Sequence, residues 1–163
     1  MRYFFALWPP AETARALEAW ARMLQGRVTP ADKIHLTLAF LGTVAPEKAV
    51  GAARRVQRRP HELPLEKAQY WKHNRIVWAG PREIPPELKM LVQTLHLELH
   101  RAEYILERRP FAAHVTLLRS AQAPAELPPL PEVEWPVREL TLVQSANSAK
   151  GSVYEVVERF ALG

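Results

Sequence analysis

The chain has 163 residues, 48% of them hydrophobic and 24% charged, a length and balance that suit one compact domain with a normal core and exclude wholesale disorder. Its formal charge of +5, with 16 arginines among 22 basic residues, favours a polyanionic partner such as nucleic acid. The absence of cysteine removes disulfides, thiol nucleophiles and thiolate metal sites together.

Residues 2–7 read as a strand, and the stop at Trp8-Pro9-Pro10 makes this apolar run too short for a signal core or a bilayer span. A soluble, cytoplasmic protein is expected. Glu12 to Leu24 reads as a helix, because Leu17, Trp20, Ala21 and Leu24 recur at helical spacing. A strand over 33–41 ends at Gly42, and Pro46 opens a helix running to Arg58. Residues 63–71 and 75–79 form a hairpin around Lys72-His73-Asn74.

The second half repeats this grammar. Pro85 and Pro86 open a long amphipathic helix with Leu88, Leu91, Val92, Leu95 and Leu99 on one stripe. A strand over 111–118 follows, then a Pro-rich surface connector over 124–136, then a hairpin of 137–144 and 152–160 around Ala149-Lys150-Gly151. The expectation is an α+β fold of residues 1–163 as a single domain. Two pseudo-symmetric, interleaved lobes from an internal duplication each hold an antiparallel sheet with helices outside and a cleft between them. The arginine clusters at 54, 55, 58 and 59 and at 101, 108 and 109 read as solvated faces.

The strongest signal is a repeated tetrapeptide. His35-Leu36-Thr37-Leu38 returns as His114-Val115-Thr116-Leu117 about half a chain later. Strand alternation puts His35 and Thr37 on one face and Ile34, Leu36, Leu38 and Phe40 on the other. His114 and Thr116 likewise oppose Val115 and Leu117. A single His-x-Thr on a strand is ordinary, but two copies in apolar strands predict one bipartite site. His96 and His100, four apart on a helix, lack the Glu of a His-Glu-x-x-His zinc motif and read as structural, as do His61 and His73.

Zinc or iron would want three or four ligands, and neither motif strand contains a carboxylate. A serine-type triad would need a carboxylate orienter and would leave the duplication without purpose. In-line displacement at phosphorus uses the duplication directly. One imidazole takes a proton from water, the other gives one to the departing oxygen, and the two threonines hold the non-bridging oxygens. No metal or other cofactor is needed.

The chain resembles the two-histidine (2H) phosphoesterase superfamily, and within it the RNA 2′,3′-cyclic phosphodiesterases, also called 2′-5′ RNA ligases. The likeness runs through Arg2-Tyr3-Phe4-Phe5-Ala6-Leu7 and Ile34-His35-Leu36-Thr37-Leu38-Ala39-Phe40-Leu41-Gly42. It continues through Arg109-Pro110-Phe111, His114-Val115-Thr116-Leu117-Leu118-Arg119 and Gly151-Ser152-Val153-Tyr154-Glu155. The resemblance implies His35 and His114 as acid and base, in either order, and Thr37, Thr116 and Arg119 as phosphate ligands. It also implies opening of a terminal 2′,3′-cyclic phosphate of RNA to a 2′-phosphate by a monomer, tRNA fragments being one source of such ends, with ATP-independent 2′-5′ joining as a further activity.

Three departures follow from the residues. Ala113 stands where the family often has proline. Arg119 has the opposite parity to His114, so its match requires a twist or bulge in the strand. Phe40 has the opposite parity to His35, which assigns it to core packing rather than base stacking. Two other functions fit the same residues: a non-catalytic module that captures RNA ends, and a phosphodiesterase for a small cyclic nucleotide or ADP-ribose cyclic phosphate.

Overall fold

A computed structural model describes residues 1–163. The elements in chain order are β1 (Arg2–Leu7), α1 (Ala11–Ala21), β2 (Arg27–Val28), a 3-10 turn (Ala31–Lys33), β3 (Leu36–Gly42), α2 (Glu47–Arg54), β4 (His61–Glu62) and β5 (Lys67–Trp71). They continue with β6 (Ile76–Gly80), α3 (Pro86–Arg101), β7 (Val115–Arg119), β8 (Pro136–Val137), β9 (Glu139–Ser148) and β10 (Gly151–Ala161). Both motif strands begin later than their composition predicts. The 3-10 turn occupies the start of the first, and residues 111–114 approach the second without strand pairing.

Two four-stranded antiparallel sheets carry the two motifs. The first has the order β10-β9-β1-β3 and the second β2-β7-β6-β5, while β4 and β8 make a separate two-stranded ribbon. The hairpin β5–β6 of the first half therefore builds the sheet of the second motif, and β9–β10 builds the sheet of the first. The matching units are β1-α1-β3 and β6-α3-β7: a central strand, a helix, then the motif strand. Where α2 follows the first motif, the expected Pro-rich connector follows the second, because prolines at 124, 128, 129, 131 and 136 remove donors and forbid helical turns.

That connector is pinned rather than loose. The Trp20 indole N–H of α1 donates to the carbonyls of Pro128 and Pro129 at 3.2 and 3.0 Å, and the Thr13 hydroxyl donates to the carbonyl of Glu134. One hydrophobic core joins both sheets and all three α-helices, with Phe5, Leu17, Leu36, Leu88, Leu95 and Leu117 buried in it. Outside it, Glu98 of α3 accepts from Arg55 at 2.8 Å and from Arg101 at 2.9 Å, tying the end of α2 to α3.

Candidate active site

Each histidine stands immediately before its strand, where it is oriented by backbone. Nδ1–H of His35 donates to the carbonyl of Lys33 at 2.8 Å, and Nδ1–H of His114 donates to the carbonyl of Ala112 at 2.9 Å. Both bonds reach back two residues, and both hold the hydrogen on Nδ1, leaving Nε2 turned away from the backbone anchor. The Thr37 hydroxyl lies 3.1 Å from Nε2 of His35 and donates to it. Gly80 lets the second motif sit where it does, because a Cβ there would lie 2.3 Å from the carbonyl oxygen of Ala113.

Simple alternation holds only for the first three residues of each motif. In the β1–β3 register Ala6 pairs with Thr37 and Phe5 with Ala39, so Leu38 is an extra residue. In the β6–β7 register Trp78 pairs with Thr116 and Val77 with Leu118, so Leu117 is extra. Both bulges fall three residues after the motif histidine, and each reverses the parity downstream. Phe40 and Arg119, each five residues after its histidine, are thereby turned to the face that carries the threonines. The assignment of Phe40 to the core is thus wrong: it is 47% exposed, opposite Phe4 in the register, and lines the cleft. Arg119 lines the cleft with both histidines, through the bulge that its match required.

Aromatic rings surround both imidazoles. Trp8, Phe4 and Tyr154 lie 5.0, 5.2 and 5.4 Å from His35, ring centre to ring centre, and Trp71 lies 4.8 Å from His114. Trp8 is held by a hydrogen bond of 2.9 Å from its indole N–H to Thr141, whose hydroxyl donates in turn to the Ala6 carbonyl. Desolvation in this cage lowers the His35 pKa below the ordinary 6.5; the charges of Arg119 and His114 add to the effect, and the Lys33 bond opposes it. The cage therefore favours neutral His35.

The cleft has two arms that meet at Thr37, His114, Thr116 and Arg119. One arm, about 430 Å³, holds His35 and is lined by Arg27, Lys33, Lys150 and Tyr154, with no carboxylate. The other, about 470 Å³, is flanked by Phe40, Trp71, His73, His96 and Phe111. His73 and His96 thus border the cleft, although turn position and helical spacing marked them as structural. Nε2–H of His96 donates to the carbonyl of Leu38, the bulged residue, at 2.8 Å. No group of three or more His, Cys, Asp or Glu is placed to hold a metal ion. Arg27, Trp71 and Tyr154 had no sequence signal of their own. The Gly151-to-Glu155 likeness included Tyr154 without giving it a role.

Comparison with known proteins fits this geometry. A family model described as LigT like Phosphoesterase matches residues 7–78. The RNA 2′,3′-cyclic phosphodiesterase of Escherichia coli K12 is 36% identical over 170 residues, covering 99% of this chain and 96% of that protein. The protein of the same name from Thermus thermophilus is 33% identical over 180 residues, covering 99% of this chain and 90% of that protein. The crystal structure of E. coli LigT in apo form superposes with a TM-score of 0.91 at 35% identity, covering 99% and 96% of the two chains.

Proposed function

This chain belongs to the LigT-like phosphoesterase family, and we propose that it hydrolyses the terminal 2′,3′-cyclic phosphate of RNA to a 2′-phosphate by two-histidine acid–base catalysis. The carrying observation is that two chain segments far apart in sequence bring the same set, His with Nδ1 tied back and Thr beside it, to one cavity. Neither set would need its partner for a purely structural role.

In this reading water attacks phosphorus in line with the P–O3′ bond. The imidazole on the water side removes its proton at Nε2, and the opposite imidazole delivers a proton to O3′ as that bond breaks. Thr37 and Thr116 donate to the two non-bridging oxygens, and Arg119 offsets the negative charge that grows on them. The Thr37 hydroxyl must leave Nε2 of His35 to do so, which substrate entry accomplishes by offering it an anionic acceptor. Phe40 and Trp71 flank the arm suited to the terminal base. Joining of RNA ends through a 2′-5′ linkage is the same displacement with a 5′-hydroxyl oxygen bonded to phosphorus in place of water.

A monomer suffices, because both histidines and both threonines come from one chain. RNA ends, tRNA fragments among them, would be met in the cytoplasm. RNA ending in a 2′,3′-cyclic phosphate should be converted in EDTA to a product whose phosphate resists release from the 2′ position by 3′-specific phosphatase. Binding without turnover would replace this reading with that of an RNA-end capture module.

A further inference from the structure

The reacting group of a cyclic end is a monoanion with two non-bridging oxygens. Thr37, Thr116 and Arg119 meet those needs at the junction of the two arms, yet three more cations line the arm beside them. Arg27 pairs directly with Arg119 across β2 and β7. Like charges directly opposite each other destabilise a strand pair. Neither arginine has an acidic partner, and no carboxylate lines the arm they share. Lys33 and Lys150 approach the same arm from the 3-10 turn and from the β9–β10 turn. That second turn is set by Ser148, which accepts from the Lys150 N–H at 3.2 Å and donates to the Gly151 carbonyl at 2.8 Å. Four cations, Arg27, Lys33, Arg119 and Lys150, therefore converge on one arm with no side-chain carboxylate to offset them.

We propose that the arm lined by Arg27, Lys33 and Lys150 binds a second phosphate of the RNA, one nucleotide removed from the phosphate between the histidines. The preferred substrate is then a dinucleotide or longer strand rather than a cyclic mononucleotide. The proposal rests on the phosphodiesterase reading and deepens it. The opposite, aromatic-flanked arm takes the terminal base, and the cationic arm is left to the sugar–phosphate backbone.

The test compares three substrates: a cyclic mononucleotide, a dinucleotide ending in the same cyclic phosphate, and that dinucleotide with an uncharged methylphosphonate linkage. One charge-assisted contact amounts to about a tenfold preference in kcat/KM for the ordinary dinucleotide over the other two. In the double variant Arg27→Ala/Lys150→Ala the ratio of dinucleotide to methylphosphonate falls towards one. Lys150→Glu alone, in an exposed turn that tolerates substitution, lowers the same ratio. Equal rates on the charged and uncharged dinucleotides by the wild-type protein overturn the proposal, as does a ratio that survives both variants. If the wild-type protein hydrolyses none of the three, the phosphodiesterase reading falls with it; hydrolysis of all three without preference sinks only the second-phosphate site.

Discussion

Nε2 of His96 donates to the carbonyl oxygen of Leu38 at 2.8 Å, so a helix of the second motif's unit holds the bulge in the first motif's strand. The bond secures a residue of β3 that has no partner on β1, two positions before Phe40. Replacing His96 by Ala strands a buried carbonyl, which costs roughly 1–3 kcal/mol of stability. KM for a cyclic nucleotide should rise by more than kcat falls, because the histidines keep their own backbone anchors. His96→Gln, which retains a donor, should recover part of the KM change. Equal loss in kcat and KM for both variants would contradict a positioning role.

His35→Ala and His114→Ala, made separately, should each lower kcat by about 10²–10⁴-fold, the range for loss of a general acid or base. Both should still bind a 2′-phosphorylated product. EDTA should leave the wild-type rate unchanged, since in that mechanism the two imidazoles supply both proton transfers. Full activity in either variant would rule out shared catalysis.

Phe40→Ala separates a cleft role from a core role. With the side chain 47% exposed, unfolding free energy should change by less than about 0.5 kcal/mol. Loss of base stacking, on the order of 1–3 kcal/mol, should lower kcat/KM for a cyclic nucleotide by about fivefold or more. A large fall in melting temperature with unchanged kinetics would return Phe40 to the core.

The lowered His35 pKa has a definite sign in stability. Between the depressed native value and the ordinary 6.5, the unfolded chain binds more protons than the folded one, so stability falls as pH drops through that window. Below the native value the loss levels off. Melting temperature measured against pH should show this decline in the wild type and a shallower one in His35→Gln. The His35 imidazole resonance should titrate below 6.5 in the substrate-free protein.

Gly80→Ala puts a methyl group 2.3 Å from the Ala113 carbonyl oxygen, on the residue before His114. The backbone must shift, at a cost of about 1–3 kcal/mol. kcat should fall, because the carbonyl of Ala112 that orients His114 lies on the same segment. Unchanged kinetics in a folded variant would show that the second motif tolerates this displacement.

The helices, hairpins and motif strands were legible because apolar spacing and proline punctuation agree with the packing that buries Leu17, Leu95 and Leu99. Parity placed each histidine beside its threonine correctly, since neither interval contains a bulge. It misplaced Phe40 because Leu38-Ala39 looks like an unbroken strand; nothing but the adjacency of two core residues marks the extra one. Leu117-Leu118 hides the same event before Arg119. The exchange of hairpins between sheets is a long-range choice of pairing partner, which local pattern does not encode. Arg27 was invisible because a two-residue strand has no periodicity to read.

The sheet order also governs when the protein becomes competent during synthesis. The second motif's sheet needs nothing beyond Arg119, whereas the sheet around His35 waits for residues 139–161 to leave the ribosome. Until then β1 lacks its β9 neighbour, and His35 lacks the Tyr154 wall of its cage. A nascent chain therefore exposes an open edge of β1 late in translation, with its first histidine hydrated and the cleft incomplete. Premature termination before β9 should leave that edge of β1 open and yield an inert product prone to self-association, rather than a half-active enzyme free to act on RNA.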